Sequence, residues 1–139
     1  MTASVDPAQL FAQFGGEDFF ASLVAGFYAR VATDDLLRPM YPADLAPAER
    51  RLYLFLMQYW GGPKTYNDER GHPRLRMRHT PFEIDELARD RWLLHMAQSL
   101  EETCAEHPID ENLKETLWRY FVNTADAMVN QPRLFAGPQ

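Results

Sequence analysis

The stretch EDFFASLVAGFYARVA, residues 17–32, decides the fold class. Its large apolar side chains recur every three or four residues, which is the spacing of one face of an α-helix. They are Phe19, Phe20, Leu23, Val24, Phe27, Tyr28 and Val31. No segment of the chain shows the alternation of apolar and polar residues that predicts a β-strand. The sequence therefore predicts an all-α protein.

Proline, aspartate and glycine mark where the other helices begin and end. On these signals we expect helices over residues 7–14 and 47–60, a long helix from Asp85 to about residue 104, a last helix after Asp110, a tight helical turn over 33–38 that stops before Pro39, and a short helix over 73–79. The polar segment 64–71 is predicted to be a loop.

The composition describes a folded domain that needs no covalent staple. Hydrophobic residues form 46% of the 139 residues and aromatic residues 13%, which excludes intrinsic disorder. A length of this kind fits one domain. The single cysteine, Cys104, excludes a disulfide framework within the chain and indicates a reducing, cytoplasmic compartment. We expect Cys104 to be a small packing residue.

Several classes of partner are disfavoured. A net charge of -6 argues against nucleic acid, because phosphate binding needs a basic face. No run approaches the ~18 apolar residues of a transmembrane helix. The first residues lack the basic and apolar regions of a secretory signal. Motifs for nucleotides or for a two-histidine zinc site are absent from the sequence.

His79 is the first candidate metal ligand. On a helix it shares a face with Leu75, and Arg78 precedes it directly. A neutral imidazole there would suit an axial haem ligand, with Nε2 on the iron and Nδ1–H donating to a carbonyl one turn back. An ordinary core or surface histidine is the alternative, which spacing alone favours. His95, on one face with Trp92, is the main rival, although its mid-helix position favours a core role.

Other residues combine an apolar body with a polar or charged tip. Tyr28, Tyr41 and Trp92 are of this kind, and ordinary core packing explains them about equally well. The helix over 47–60 carries an apolar stripe that could cover a flat ligand, although core packing is the usual explanation. Its members are Ala48, Leu52, Phe55, Leu56 and Tyr59, with Arg51 at the edge.

Two groups of charged residues complete the candidates. Five basic residues between 64 and 78 could bind carboxylates such as haem propionates, although a solvated surface patch is the simpler interpretation. They are Lys64, Arg70, Arg74, Arg76 and Arg78. The adjacent Asp34 and Asp35 are expected to be a solvated pair near a helix end.

Taken together, the motifs resemble those of one family. They are FY at 27–28, LRPMYP at 37–42, FLMQYWGGP at 55–63, GHPRLRMRH at 71–79 and RDRW at 89–92. In this order they resemble the bacterial truncated haemoglobins of group II, the O type. The resemblance runs from about Phe11 to Asn130. It implies a single globin domain over 1–139 with a two-over-two helical sandwich around haem b, an N-terminal extension over 1–10 and a flexible tail over 132–139.

The resemblance also implies residue roles. It makes His79 the proximal iron ligand and places Ala48 at the distal position. Tyr28, Tyr41 and Trp92 become distal hydrogen-bond donors, Leu52 and Phe55 line the distal wall, and Arg51 becomes a propionate partner. Arg78 and Phe82, close to His79 on either side, complete the expected haem contacts.

The function that follows is binding of O2 and other diatomic gases at a pentacoordinate iron. Several polar donors favour redox chemistry, sensing or scavenging over bulk storage. Peroxidase-like or nitric-oxide-consuming turnover is one alternative, and it would need a separate reductase. A cofactor-free helical interaction domain is another. A homo-oligomer is left open.

Overall fold

The computed structural model describes residues 6–71 and 84–130, and these two ranges are helical with no β-strand. The α-helices are α1 (Pro7–Phe14), α2 (Gly16–Val31), α3 (Ala46–Tyr59), α4 (Thr65–Arg70), α5 (Glu86–Glu106) and α6 (Glu111–Met128), and a 3-10 helix, η1, covers Arg38–Met40. The predicted all-α class is confirmed. The short helix predicted over 73–79, the tail over 132–139 and residues 1–5 of the predicted extension lie outside the described residues.

Three predicted aspartate caps are present. Each accepts a hydrogen bond from a backbone N–H of the first turn, which satisfies one of the donors that a helix start leaves without a partner. The pairs are Asp6 with Ala8, Asp85 with Ala88, and Asp110 with Asn112.

The loop predicted over 64–71 is wrong, because Thr65–Arg70 forms helix α4. The helix has no apolar periodicity, and one ring anchors it instead. Tyr66 is buried, with its ring centroid 5.5 Å from that of Phe55. The Gln58 side chain holds Asn67 by two 3.0 Å hydrogen bonds, one to its side chain and one from its backbone N–H.

The turn predicted to stop before Pro39 continues through it, because η1 begins at Arg38 and includes Pro39. A proline is compatible with the first turn of a helix, where its missing N–H would have no helical partner. The chain then becomes extended at Tyr41, where φ is -117° and ψ is 156°.

Two helices lie over two. Helix α2 pairs with α3, α5 pairs with α6, and α2 crosses α5. At that crossing small side chains allow close approach: Ser22 and Thr103 are hydrogen-bonded at 3.4 Å, and the side chain of buried Ser99 lies against Gly26. This is the predicted two-over-two sandwich, and it packs α2 against α5 with their facing residues in the core.

The Trp-Gly-Gly stretch after α3 is explained by the position of α1. Gly61 has a φ of +98°, and a Cβ atom there would fall 1.8 Å from the Pro7 carbonyl oxygen. A Cβ atom on Gly62 would fall 2.7 Å from the Phe11 ring. The Trp60 ring packs on Phe14, with centroids 5.2 Å apart. Only glycines therefore let α1 close over the end of α3.

Cys104 is half-buried against the core, as expected of a packing residue, and burial raises the pKa of its thiol. Within the two described ranges, no helix has both the length and the apolar character needed to cross a membrane.

Candidate functional site

Three polar-tipped rings from different elements meet inside the sandwich. Tyr28 comes from α2, Tyr41 from the segment after η1, and Trp92 from α5. The rings of Tyr28 and Tyr41 lie edge to face, with centroids 5.6 Å apart and planes at 84°. Phe27 links the cluster, because its ring centroid lies 5.1 Å from that of Tyr28 and 5.0 Å from that of Trp92.

Tyr41 is the centre of this cluster. The Tyr28 hydroxyl and the Trp92 indole N–H lie beside its hydroxyl, and both lower its pKa as hydrogen-bond donors. Among the described residues its own proton has no acceptor. The Tyr41 hydroxyl is therefore the group that can donate outward, supported by two donors behind it.

Burial keeps both phenols protonated. Burial raises the pKa of Tyr41 to about 12, against the opposing effect of the hydrogen bonds from Trp92 and Tyr28. Burial also raises the pKa of Tyr28, as does the neighbouring Tyr41, while the positive charge of Arg51 acts in the opposite direction. At neutral pH both side chains can therefore donate hydrogen bonds.

Helix α3 supplies an apolar wall. Ala48 and Phe55 are buried and Leu52 is half-buried. The predicted stripe is wrong at Tyr59, whose side chain is 53% exposed and packs on Tyr120 with ring centroids 4.3 Å apart. Tyr59 lies on the outer side of the helix and does not contribute to this wall.

Arg51 differs from its neighbour Arg50. The Arg50 guanidinium pairs with Glu69 at 2.6 Å on the surface, where both side chains are well exposed. Arg51 is half-buried, its charge reaches Tyr28, and it forms no salt bridge within the described residues. Arg51 therefore places a positive charge at the edge of the cluster, where it can pair with an anionic group.

The rival ligand His95 has a partner of another kind. Its Nε2 lies 2.5 Å from Oδ2 of Asp34, and its Nδ1 is buried with no hydrogen-bond partner in the described part of the chain. The prediction that Asp34 is solvated is wrong, because its side chain is 2% exposed. The signal in the sequence was a cap: Asp34 accepts from the backbone N–H groups of Leu36 and Leu37, as aspartate often does at a turn.

The other half of the predicted site cannot be placed. His79, Arg74, Arg76, Arg78 and Phe82 lie outside the described residues. Their roles stay predictions.

Known proteins resemble the chain over most of its length. A model of the bacterial-like globin family matches residues 9–130. A group 2 truncated hemoglobin of Bacillus subtilis is 42% identical over 116 residues, covering 84% of this chain and 85% of that protein. The crystal structure of hemoglobin from the thermophilic phototrophic bacterium Chloroflexus aurantiacus has a TM-score of 0.83 and 48% identity, covering 88% of this chain and 98% of that chain. A truncated oxygen-avid haemoglobin from Bacillus subtilis has a TM-score of 0.79 and 37% identity, covering 91% of this chain and 100% of that chain.

Proposed function

Because the chain belongs to the bacterial-like globin family as a group 2 truncated haemoglobin, we propose that it binds O2 and other diatomic gases at a haem b. The family implies a haem cofactor and gaseous ligands. Membership therefore argues against the alternative of a cofactor-free interaction domain.

The described residues fit one face and one edge of a haem. Leu52 and Phe55 offer apolar side chains, and Ala48, one turn before Leu52, adds only a methyl group. Arg51, which forms no salt bridge with any described residue, offers its positive charge to a haem propionate. His79 would hold the haem iron through Nε2, and Arg78 and Phe82 would be further contacts. Haem b, when bound, would supply an iron that takes up a diatomic gas.

The observation that carries the proposal is the meeting of Tyr28, Tyr41 and Trp92. Tyr41 keeps its own proton, so it can donate to a gas molecule bound beside it. The Tyr28 hydroxyl and Trp92 Nε1–H support it as donors to the Tyr41 oxygen. A buried hydrogen bond contributes ~1 kcal/mol, and more when the acceptor carries charge. Ala48 has no donor, so retention of the gas depends on these three residues.

Such a network favours tight retention, which suits redox chemistry, sensing or scavenging better than bulk storage. The description of the Bacillus subtilis relative as oxygen-avid supports this conclusion. Electrons for any redox cycle would come from a separate reductase, because no flavin- or nicotinamide-binding motif occurs in the 139 residues. We further propose that the chain acts as one domain in the cytoplasm, in keeping with its single cysteine.

Peroxidase-like turnover has less support. It needs a side chain near the bound peroxide that exchanges a proton at neutral pH. Ala48 cannot do so, and burial raises the pKa of both tyrosines away from neutrality. The residues described on this side therefore act as donors that hold a ligand.

The test is a visible spectrum combined with ligand kinetics. Purified protein should show a Soret band, and its ferrous form should change spectrum on adding O2 or CO. Tyr41→Phe should release O2 faster than wild type. A colourless protein, or a ferrous form whose spectrum does not respond to O2, would contradict the proposal.

A further inference from the structure

We propose that Asp34 is a positioning residue for the distal donors. Through Arg91 and His95 it fixes the segment that carries Tyr41 against the helical turn that carries Trp92. The inference rests on the proposed function, because the geometry of these donors matters only if they face a bound gas.

The Asp34 carboxylate is buried and fully engaged. Oδ1 accepts from the backbone N–H groups of Leu36 at 2.7 Å and Leu37 at 3.0 Å, and from Arg91 Nη1 at 3.1 Å. Oδ2 lies 2.5 Å from His95 Nε2. A buried carboxylate without such partners would cost several kcal/mol, so this arrangement tolerates little displacement.

The segment after Asp34 is tied at its far end as well. Arg38 N–H donates to the Asp34 carbonyl at 2.9 Å. The Arg38 guanidinium donates to the carbonyls of Tyr41, Pro42 and Ala43 at 3.4, 2.9 and 2.6 Å. The backbone of Tyr41 therefore lies between two fixed points, and the first of them is Asp34.

The opposite side of the contact is one turn of α5. Arg91 and His95, the two partners of Asp34 on this helix, lie on either side of Trp92 along the chain. The Trp92 ring is held by Phe27 and Phe121, with centroid distances of 5.0 and 5.8 Å. One carboxylate thus joins the element that presents Tyr41 to the element that presents Trp92.

This contact is more than a link between two helices. Arg30 of α2 and Glu102 of α5 also form an ion pair, at 2.6 Å, and Glu102 is 65% exposed. That pair joins α5 to α2 itself and lies away from the segment that carries Tyr41. A hydrogen bond weakens steeply when its angle or length changes, so an effect on donor geometry should follow from Asp34 and not from Glu102.

The experiment compares Asp34→Asn with Glu102→Gln in the ferrous holoprotein. Asparagine Oδ1 can still accept from Leu36 and Leu37, so the turn keeps its cap, while the charged contact to Arg91 and His95 is lost. We expect Asp34→Asn to raise the O2 dissociation rate about five- to tenfold and the CO dissociation rate less, which corresponds to about one weakened hydrogen bond. Amide hydrogen exchange over residues 34–43 should become faster. Glu102→Gln should leave all three quantities unchanged.

A double-mutant cycle separates positioning from general loosening. If Asp34 acts through Tyr41, Asp34→Asn should change the O2 rate by less than about twofold in a Tyr41→Phe background. The same large factor in both backgrounds, or equal factors for O2 and CO, would overturn the inference, as would unchanged exchange over 34–43. If Asp34→Asn does not fold, His95→Leu removes the shorter contact on Asp34 and should give the same pattern. A wild-type protein whose spectrum does not change on adding O2 would contradict the proposed function. Amide hydrogen exchange over residues 34–43 would still show whether Asp34 holds that segment.

Discussion

Gly26 of α2 lies so close to Ser99 of α5 that a Cβ atom on Gly26 would fall 2.4 Å from Ser99 Oγ. The Ser99 hydroxyl donates to the Leu23 carbonyl at 2.6 Å, so it cannot turn away without losing that bond in the core. Tyr28 and Trp92 lie on these two helices. The contact between a glycine and a serine therefore sets how closely two of the distal donors approach.

Gly26→Ala should destabilise the protein. Alanine favours a helix over glycine by ~1 kcal/mol, but overpacking a tight contact costs ~1–3 kcal/mol, so we expect a net loss. Urea unfolding of the holoprotein measures it. Ala29→Ser, at an exposed position of the same helix, should change stability by less than about 0.5 kcal/mol. A Gly26→Ala protein more stable than wild type would show that the helices can move apart freely.

The assignment of the iron ligand is tested by a pair of histidine variants. His79→Ala should lose haem, or leave a site that added imidazole fills. His95→Ala should keep the haem spectrum, because His95 Nε2 is already engaged by Asp34. Haem content and the Soret band are the measurements. Loss of haem in His95→Ala together with retention in His79→Ala would reverse the assignment.

Arg51 and Arg50 offer a matched test of the haem edge. Arg51→Ala should speed haem transfer to an apo-globin acceptor, more so at low salt, because an arginine fork binds a carboxylate in two places. Arg50→Ala should leave the transfer rate near that of wild type, because Arg50 pairs with Glu69 on the surface. Equal transfer rates in wild type and Arg51→Ala would remove Arg51 from the site.

The sequence was sufficient where a local signal decides the structure. Periodicity over 17–32 and the aspartate caps predicted the long helices, and the resemblance predicted the two-over-two arrangement. The sequence was insufficient where one long-range contact decides. Helix α4 depends on Tyr66 packing on Phe55, and no periodic pattern announces a helix that is held by a single ring.

The same limit applies to the candidate site. Asp34 is recognisable as a turn cap, but its burial depends on Arg91 and His95, which lie 57 and 61 residues further along the chain. Two adjacent aspartates at a helix end are usually solvated. The prediction was therefore wrong at Asp34, which α5 covers. The spacing of Tyr28, Tyr41 and Trp92 likewise gives no hint that Tyr41 is the central acceptor.

The free energy of unfolding should depend on pH through the Asp34 carboxylate. Burial by itself raises the pKa of Asp34, but hydrogen bonds from His95 and from the following turn lower it from 3.8 to about 2. Because folding lowers this pKa, the stabilisation is complete above about pH 5 and is lost as the pH falls towards 2. The difference corresponds to about 2 kcal/mol. About half of this stabilisation is lost by pH 3, so urea unfolding at pH 6 and pH 3 should show wild type losing about 1 kcal/mol more than Asp34→Asn.

A surface carboxylate serves as the control for this measurement. Asp126 pairs with Arg89 at 3.0 Å and is 53% exposed. Asp126→Asn should follow the wild-type dependence on pH within about 0.5 kcal/mol. If the stability of Asp34→Asn follows the wild-type dependence on pH equally closely, the carboxylate of Asp34 is not the group that titrates.

The distal donors should differ in their effect on the release of gas. Tyr28 and Trp92 both act on a ligand through the Tyr41 hydroxyl, and the hydrogen bond from the rigid Trp92 N–H has the larger effect on the pKa of Tyr41. Trp92→Phe should therefore raise the O2 dissociation rate more than Tyr28→Phe does. Losing a buried partner costs ~1–3 kcal/mol, which corresponds to a factor of roughly 5 to 150. CO is a weaker acceptor and should respond less. Stopped-flow measurements of the O2 and CO dissociation rates of wild type and the two variants test this. Equal, small changes in both rates in Trp92→Phe would mean that the indole is only a steric wall.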